Sequence, residues 1–572
     1  MQWVMAAALI CGSTVFTGCS KSGSDDVQEP VVKPDPVVNP DPDDNGANSS
    51  SREIGYIECS WNGTEVVKTP RTEPTFYEAN LANRSLQSVE SFNYMRLYQG
   101  TYYVDGKLNI DGYLYIEKGS RVFLILCDGC ELKVKGIVVQ GYDPTYETIS
   151  KLCIYGQDKG TGRLIIDNPG SGHPGIGTYG EDYAIIEIHG GVITAKGAPG
   201  CAGIGGGYLD IGSYFSDISI YDGTIDAQGG EAAAGIGCGD YAGGIGKIHI
   251  YGGNITAQGG GAGIGGGARY HLTGVYIYGG NIKATGGSDS AGIGAGESVA
   301  NGTGEINIHG GYIIAEGGKY GAGIGGGDGV QPGPITISGG EVYAYAGTNA
   351  AGIGGGEGGE SGNITITGGI VRAYGDRWAD GSSNKGYGAG IGSGQAASVN
   401  TIIIKGGDIE AYGGEDGAGI GTGEEYGSDI ISGTIEIHGG KVWAEGKGYG
   451  AGIGCGEDAT FGVLGISGGR VDAHAGSDCG PWSGSIGAYH KDHGADDNCH
   501  IGWAGWERIY IGKGMRLWTY SPNVGGVENV TNNLPWWNYV HQRPQVAIGE
   551  CDHPDYTEAT CPFCYRETLQ LQ

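Results

Sequence analysis

The sequence predicts an all-β protein: a right-handed parallel β-helix with three-strand coils of about 31 residues, capped at its N- and C-terminal ends. Three observations carry that prediction. A pattern I-x-I-x-G-G-x-(I/V)-x-A, seen in the run from Ile306 to Ala315, recurs about ten times between residues 184 and 488. Each copy is followed by A-G-I-G-x-G, as in the run from Ala322 to Gly327. Within the copies aliphatic residues fall at alternate positions (Ile248 and Ile250, then Ile255 and Ala257), which is a strand period and not a helical one.

Composition alone would mislead. The chain holds 122 Gly and 19 Pro in 572 residues, a richness that without a period reads as disorder. Here the glycines keep register with Ile, Val and Ala, and only stacking of the units turns those few residues into a continuous core. A Gly-Gly pair begins at positions 190, 252, 279, 310, 339, 368, 406, 439 and 468, with Asp222-Gly223 as a variant. Each pair is expected to turn a corner between two short strands, with the A-G-I-G segment as a third strand. The crossover rule makes the stack right-handed.

The elements follow in order. Residues 1–19 combine a short apolar run, Trp3 to Phe16, with the ending Phe16-Thr-Gly-Cys19. The run is too short to span a bilayer. It resembles a bacterial lipobox, and the resemblance implies that Cys19 is the lipidated first residue of the mature protein and anchors it to the outer membrane. Residues 20–51 are rich in Ser, Asp, Pro and Val and form an expected disordered tether. Acidic residues soon after the lipidated Cys resemble Bacteroides-type surface lipoproteins, which implies exposure at the cell surface. Residues 52–172 read as an N-terminal cap and the first, less regular coils; residues 173–488 hold the β-helix repeats. Residues 489–550 read as a Trp-rich C-terminal cap and residues 551–572 as a small Cys/His knuckle. The segments Tyr103-Val-Asp-Gly, Leu124-Ile-Leu-Cys-Asp-Gly and Leu152-Cys-Ile-Tyr-Gly-Gln, taken with the A-G-I-G-G repeats, resemble a family of secreted bacterial β-helix proteins described as adhesin-like or carbohydrate-binding. That resemblance implies fold and location and carries no catalytic motif.

With 64 acidic against 33 basic residues the formal charge is −31, which repels phosphate backbones and argues against a nucleic-acid partner. Several clusters are candidate sites. The residue before Gly-Gly points outward and reads His189, Tyr221, Tyr251, Tyr278 and His309 in consecutive coils. Such a column could hold a glycan, or its rings could stack on one another and stabilise the sheet. The residue after A-G-I-G-x-G gives an acidic column, Asp240, Glu297, Asp328, Glu357, Glu424 and Glu457. Stacked carboxylates repel unless solvated or shared by a cation, so the column is either a solvated edge or a calcium site. Cys551, His553, Cys561 and Cys564 have the spacing of a structural zinc site, with disulfides as the alternative. Three His and three Asp between Tyr489 and His500 are either a polar loop or acid, base or metal-binding groups. Cys127-Asp-Gly-Cys130 lacks the βαβ setting of a redox pair, while Cys201, Cys238 and Cys455 read as packing residues. No P-loop, nucleophile elbow or H-E-x-x-H is present.

The expected function is a cell-surface lipoprotein acting as a non-catalytic, carbohydrate-binding or adhesin-like scaffold. The alternatives are a polysaccharide lyase or glycoside hydrolase acting on one face, and a purely structural rod.

Overall fold

The computed structural model describes residues 54–476 apart from 74–78, 84–86, 90–91, 142–148, 168, 180–182, 209–216, 242–245, 269–273, 298–303, 376–385, 426–431 and 461, together with 485–489 and the backbone of 509–511, 515–521, 526–529 and 545–550. Chain from Gly100 onward winds into a parallel β-solenoid, and each coil contributes one strand to each of three sheets of 16, 15 and 15 strands.

One repeat shows the construction. Glu305–Ile308 lies in sheet one, Tyr312–Glu316 in sheet two and Ile324–Gly325 in sheet three. Ile306, Ile308, Ile313, Ala315 and Ile324 point inward and are at most 1% exposed. Like stacks on like: Ile306 pairs with Val275 and Ile335, Ala315 with Ala284 and Ala344, Ile324 with Ile293 and Ile353. A fully buried Ile contributes roughly 1.5–3 kcal/mol, and repeated ladders of them make one uninterrupted core. The predicted fold is therefore the observed one, and in the described residues helix is confined to a single 3-10 turn, Leu81–Asn83.

The glycines do two different things. At the corner, the second Gly of each pair takes a positive φ, for example Gly311 at 96°. In the third sheet Gly325 has φ of 137°, and a Cβ there would overlap the Gly354 carbonyl oxygen of the next coil. That position needs Gly twice over, for its backbone conformation and for close approach of neighbouring coils.

At both ends the parallel stacking gives way to antiparallel pairing. Gln87–Val89 pairs antiparallel with Phe92–Leu97, which begins sheet three. At the other end Gln545–Glu550 pairs antiparallel with Arg470–His474, and Met515–Ser521 pairs with Gln545–Glu550.

The segment expected to begin the N-terminal cap does something else. Strands β1 (Ile54–Trp61) and β2 (Val66–Glu73) form an antiparallel hairpin. It lies along the side of the stack, where Tyr56 meets Tyr155 and Trp61 meets Tyr251 and Tyr278. A period-based reading could not place it, because its partners lie about a hundred residues or more away in sequence.

Candidate functional site

The outward position before Gly-Gly forms a ring ladder. His189 stacks on Tyr221 at 4.8 Å, Tyr221 on Tyr251 at 4.8 Å, Tyr251 on Tyr278 at 4.9 Å and Tyr278 on His309 at 4.9 Å. Tyr155, which sequence reasoning missed, extends the ladder by stacking on His189 at 4.5 Å. Interplanar angles of 11–20° along the ladder mean that the rings present faces to each other and only edges outward.

Hairpin β1–β2 covers much of this ladder. His189, expected to be outward and open, is 5% exposed. Its Nδ1 lies 3.1 Å from the Cys59 amide nitrogen and 3.0 Å from the Cys59 carbonyl oxygen. Trp61 rests on the edges of Tyr251 and Tyr278 at 5.4 Å, tilted 32° and 43°. The Gln157 side chain donates to the Gly55 carbonyl at 2.7 Å, and Lys68 pairs with Asp222. Of the five predicted residues only His309 is exposed.

Under the hairpin the ladder has a charged neighbour. Glu187 contacts Lys151 Nζ at 2.7 Å and His189 Nε2 at 3.3 Å. Burial acts to raise the Glu187 carboxyl, but the His189 hydrogen bond and the Lys151 ammonium outweigh it and hold it down to about 2.

A second aromatic surface lies on sheet two and was also missed. Tyr345, Tyr374 and Tyr412 stack at 4.9 and 5.1 Å with planes within 6°. Beside them run Tyr343, Arg372, Glu410 and Trp443, one from each successive coil, with Tyr312 in register with Glu341 in the neighbouring column. Tyr312 is 41% exposed and tilted 54° to Tyr343. Tyr343 and Tyr412 donate their hydroxyls to Glu341 and Glu410 at 2.7 and 3.0 Å, and Trp443 Nε1 donates to Glu445 at 3.2 Å. Arg372 is held by Asp408 at 3.3 Å and Glu410 at 3.1 Å. The signal was present in the repeat: the residue after the inward Ala reads Glu316, Tyr345, Tyr374, Tyr412, Glu445 and His474.

Comparison with known proteins agrees with this geometry. The family described as "Beta helix repeat" matches residues 186–208, 218–240, 248–268, 275–297, 306–328, 335–357, 364–395, 402–424 and 435–457. Those nine segments are similar to that repeat, one in each successive coil. No curated protein and no solved structure matches the chain significantly.

The acidic column runs along the loops that leave the β-helix repeats' third sheet. Asp240, Glu424 and Glu457 are buried, while Glu297, Asp328 and Glu357 are half-buried. Amides join the carboxylates: Asn349 donates to Glu357 at 3.0 Å, and Gln395, which holds the column position between Glu357 and Glu424, donates to Glu424 at 2.8 Å. Burial and then the neighbouring carboxylates Glu357, Asp289 and Glu297 push the Asp328 carboxyl up. Asp416, Glu424 and Glu457 bring carboxylate oxygens within 4.8 Å of one another.

Other expected sites divide clearly. Cys201, Cys238 and Cys455 are fully buried beside the third sheet, as packing residues should be, and burial pushes their thiols up to about 12. Cys127 and Cys130 are buried in a turn where the Cys130 amide donates to the Cys127 carbonyl at 3.0 Å. The lipobox Cys19, the 490–500 His/Asp loop and the Cys551, His553, Cys561 and Cys564 set lie outside the described residues.

Proposed function

We propose that this chain is a lipid-anchored protein of the outer cell surface whose β-helix repeats serve as a non-catalytic scaffold, and that the sheet-two face binds a neutral glycan. The observation that carries the reading is the contrast in covering. The ladder at the Gly-Gly corner carries the chain's own hairpin on His189, Tyr251 and Tyr278, whereas sheet two leaves Tyr312 exposed and Tyr343, Tyr345, Tyr374, Tyr412 and Trp443 half-buried beside one another. With the Tyr343 and Tyr412 hydroxyls and the Trp443 indole donating to Glu341, Glu410 and Glu445, the hydroxyl oxygens and the remaining carboxylate lone pairs form an acceptor row to which sugar hydroxyls can donate. Tyr and Trp also offer rigid contact area at low entropic cost. A net charge of −31 disfavours anionic polysaccharides, which is why the glycan is taken as neutral. A lyase or hydrolase reading finds less support, since Arg372 is committed to Asp408 and Glu410.

The test uses the chain with Cys19→Ala, which cannot be lipidated, on an array of neutral and anionic glycans. Binding to neutral glycans that falls at least about tenfold in Tyr412→Ala and Trp443→Ala would support the reading, because central aromatic contacts carry most of an interface's energy. Binding to no glycan, or binding indifferent to both substitutions, would overturn it.

A further inference from the structure

Beneath the hairpin, three side chains of different chemistry converge. The ligand atoms of Cys153, Glu187 and His189 all lie within 4.8 Å of one another. Cys153 is 1% and His189 5% exposed, so this is an interior cluster and not a solvated acidic edge. Cys153 Sγ lies 3.5 Å from Glu187 Oε2, and His189 Nε2 lies 3.3 Å from the same oxygen. A tetrahedral zinc with Zn–S near 2.3 Å and Zn–N and Zn–O near 2.0 Å sets its ligand atoms roughly 3.3–3.5 Å apart. The Cys153–Glu187 and His189–Glu187 separations therefore match two edges of that tetrahedron, and the third pair lies within 4.8 Å.

We propose that Cys153, Glu187 and His189 are the ligands of a zinc-class metal site at the joint between the hairpin and the coils beneath it. Thiolate, imidazole and carboxylate together favour zinc over calcium or magnesium, which take oxygen ligands. The surroundings suit the role. Nδ1 lies 3.1 Å from the Cys59 amide nitrogen and 3.0 Å from the Cys59 carbonyl oxygen; on metal binding the Nε2 proton would leave, the remaining ring proton would sit on Nδ1 toward that carbonyl, and the Nε2 lone pair would face the ion. A backbone carbonyl on the far ring nitrogen is a common way of fixing a metal-bound imidazole. Lys151 takes Glu187 Oε1 at 2.7 Å, which leaves Oε2 for the ion and compensates one of the two anionic ligands. Burial, and next the Glu187 charge, push the Cys153 thiol up, so an empty site holds a neutral thiol. A divalent ion reverses that balance: the S–H bond breaks, the proton leaves to solvent and the thiolate electron pair forms the bond to the metal.

The carbonyl that orients His189 belongs to β1, so the site is complete only when the hairpin is docked. Metal binding then locks the hairpin to the ladder.

Cobalt(II) in place of zinc gives the readout, in the full chain with Cys551→Ser, Cys561→Ser and Cys564→Ser so that the C-terminal residues contribute no thiolate. About one equivalent should bind, with tetrahedral visible bands and a thiolate-to-cobalt charge-transfer band. That band should vanish in Cys153→Ser and persist in Cys59→Ser, which keeps the backbone carbonyl. Circular dichroism confirms that each protein is folded. If the triple substitution impairs folding, zinc content of the otherwise unsubstituted chain should drop by about one equivalent on Cys153→Ser. A folded protein without the charge-transfer band, a band that survives Cys153→Ser, or unchanged zinc content would each overturn the assignment.

Discussion

The two aromatic ladders are built from the same repeat and have opposite surroundings. One runs from Tyr155 to His309 at the Gly-Gly corner, and the other runs through Tyr345, Tyr374 and Tyr412 on sheet two. Both stack rings about one coil spacing apart, so in both the faces are consumed within the protein. They differ in what happens to the edges. At the corner they receive a hairpin that brings Tyr56, Cys59 and Trp61 against them. On sheet two they are flanked by carboxylates, with Tyr412 bonded to Glu410 at 3.0 Å. A repeated aromatic position is thus a rail, and its use depends on what the rest of the chain lays on it.

The largest effect on this contrast should come from His189→Ala. It removes two stacked neighbours, two contacts with Cys59 and the partner of Glu187. We expect a loss of about 3 kcal/mol in chemical denaturation and rapid cleavage of 54–73 by added protease, with the sheet-two strands unaffected. A protease pattern like that of the parent would break the comparison.

Acid should separate the ladders next. His474, stacked on Trp443 at 3.9 Å at the end of the open face, is held by burial down to about 4, against an ordinary value of 6.5. The unfolded chain binds that proton first, so stability from this end falls as pH drops from 6.5 toward 4. Glu187 has its folded value below the ordinary 4.5, so its contribution is complete above 4.5 and is lost only as pH falls toward about 2. Trp443 fluorescence is masked by other tryptophans, so exchange of 441–445 against 54–61 is the measurement. The first segment should loosen at higher pH than the second.

Tyr374→Ala removes the middle of the open ladder and should cost about 1–2 kcal/mol, while the hairpin stays protected. The smallest effect belongs to Lys68→Ala. Its ion pair with Asp222 is more than half exposed on the lysine side, and such pairs contribute under about 1 kcal/mol. A double-mutant cycle with Asp222→Ala should give a coupling in that range.

How much of this was legible follows from distance in sequence. Ile306, Ile308, Ile313 and Ala315 announce their inward direction within ten residues, and the Gly-Gly corner fixes the turn, so the coil could be read directly. The ladder from His189 to His309 was legible for the same reason, since one position repeats coil after coil. The Tyr345–Tyr412 ladder was equally readable by counting one residue past the inward Ala, and attention to the Gly-Gly pair hid it. Tyr155 precedes the regular Gly-Gly pattern and was passed over. The hairpin could not be read at all: Cys59 meets His189 across 130 residues, and nothing in either local pattern names the other. The Cys153, Glu187 and His189 cluster was invisible likewise, because its members come from two coils and its orienting carbonyl from the hairpin.

The most direct test of the central claim is amide hydrogen exchange of 54–73 in the intact chain, compared with its His189→Ala form. If the corner ladder is a rail for the hairpin, amides across 54–61 exchange slowly in the parent and fast in the variant, while 341–345 keeps its protection in both. Fast exchange across 54–73 in the parent would contradict the account.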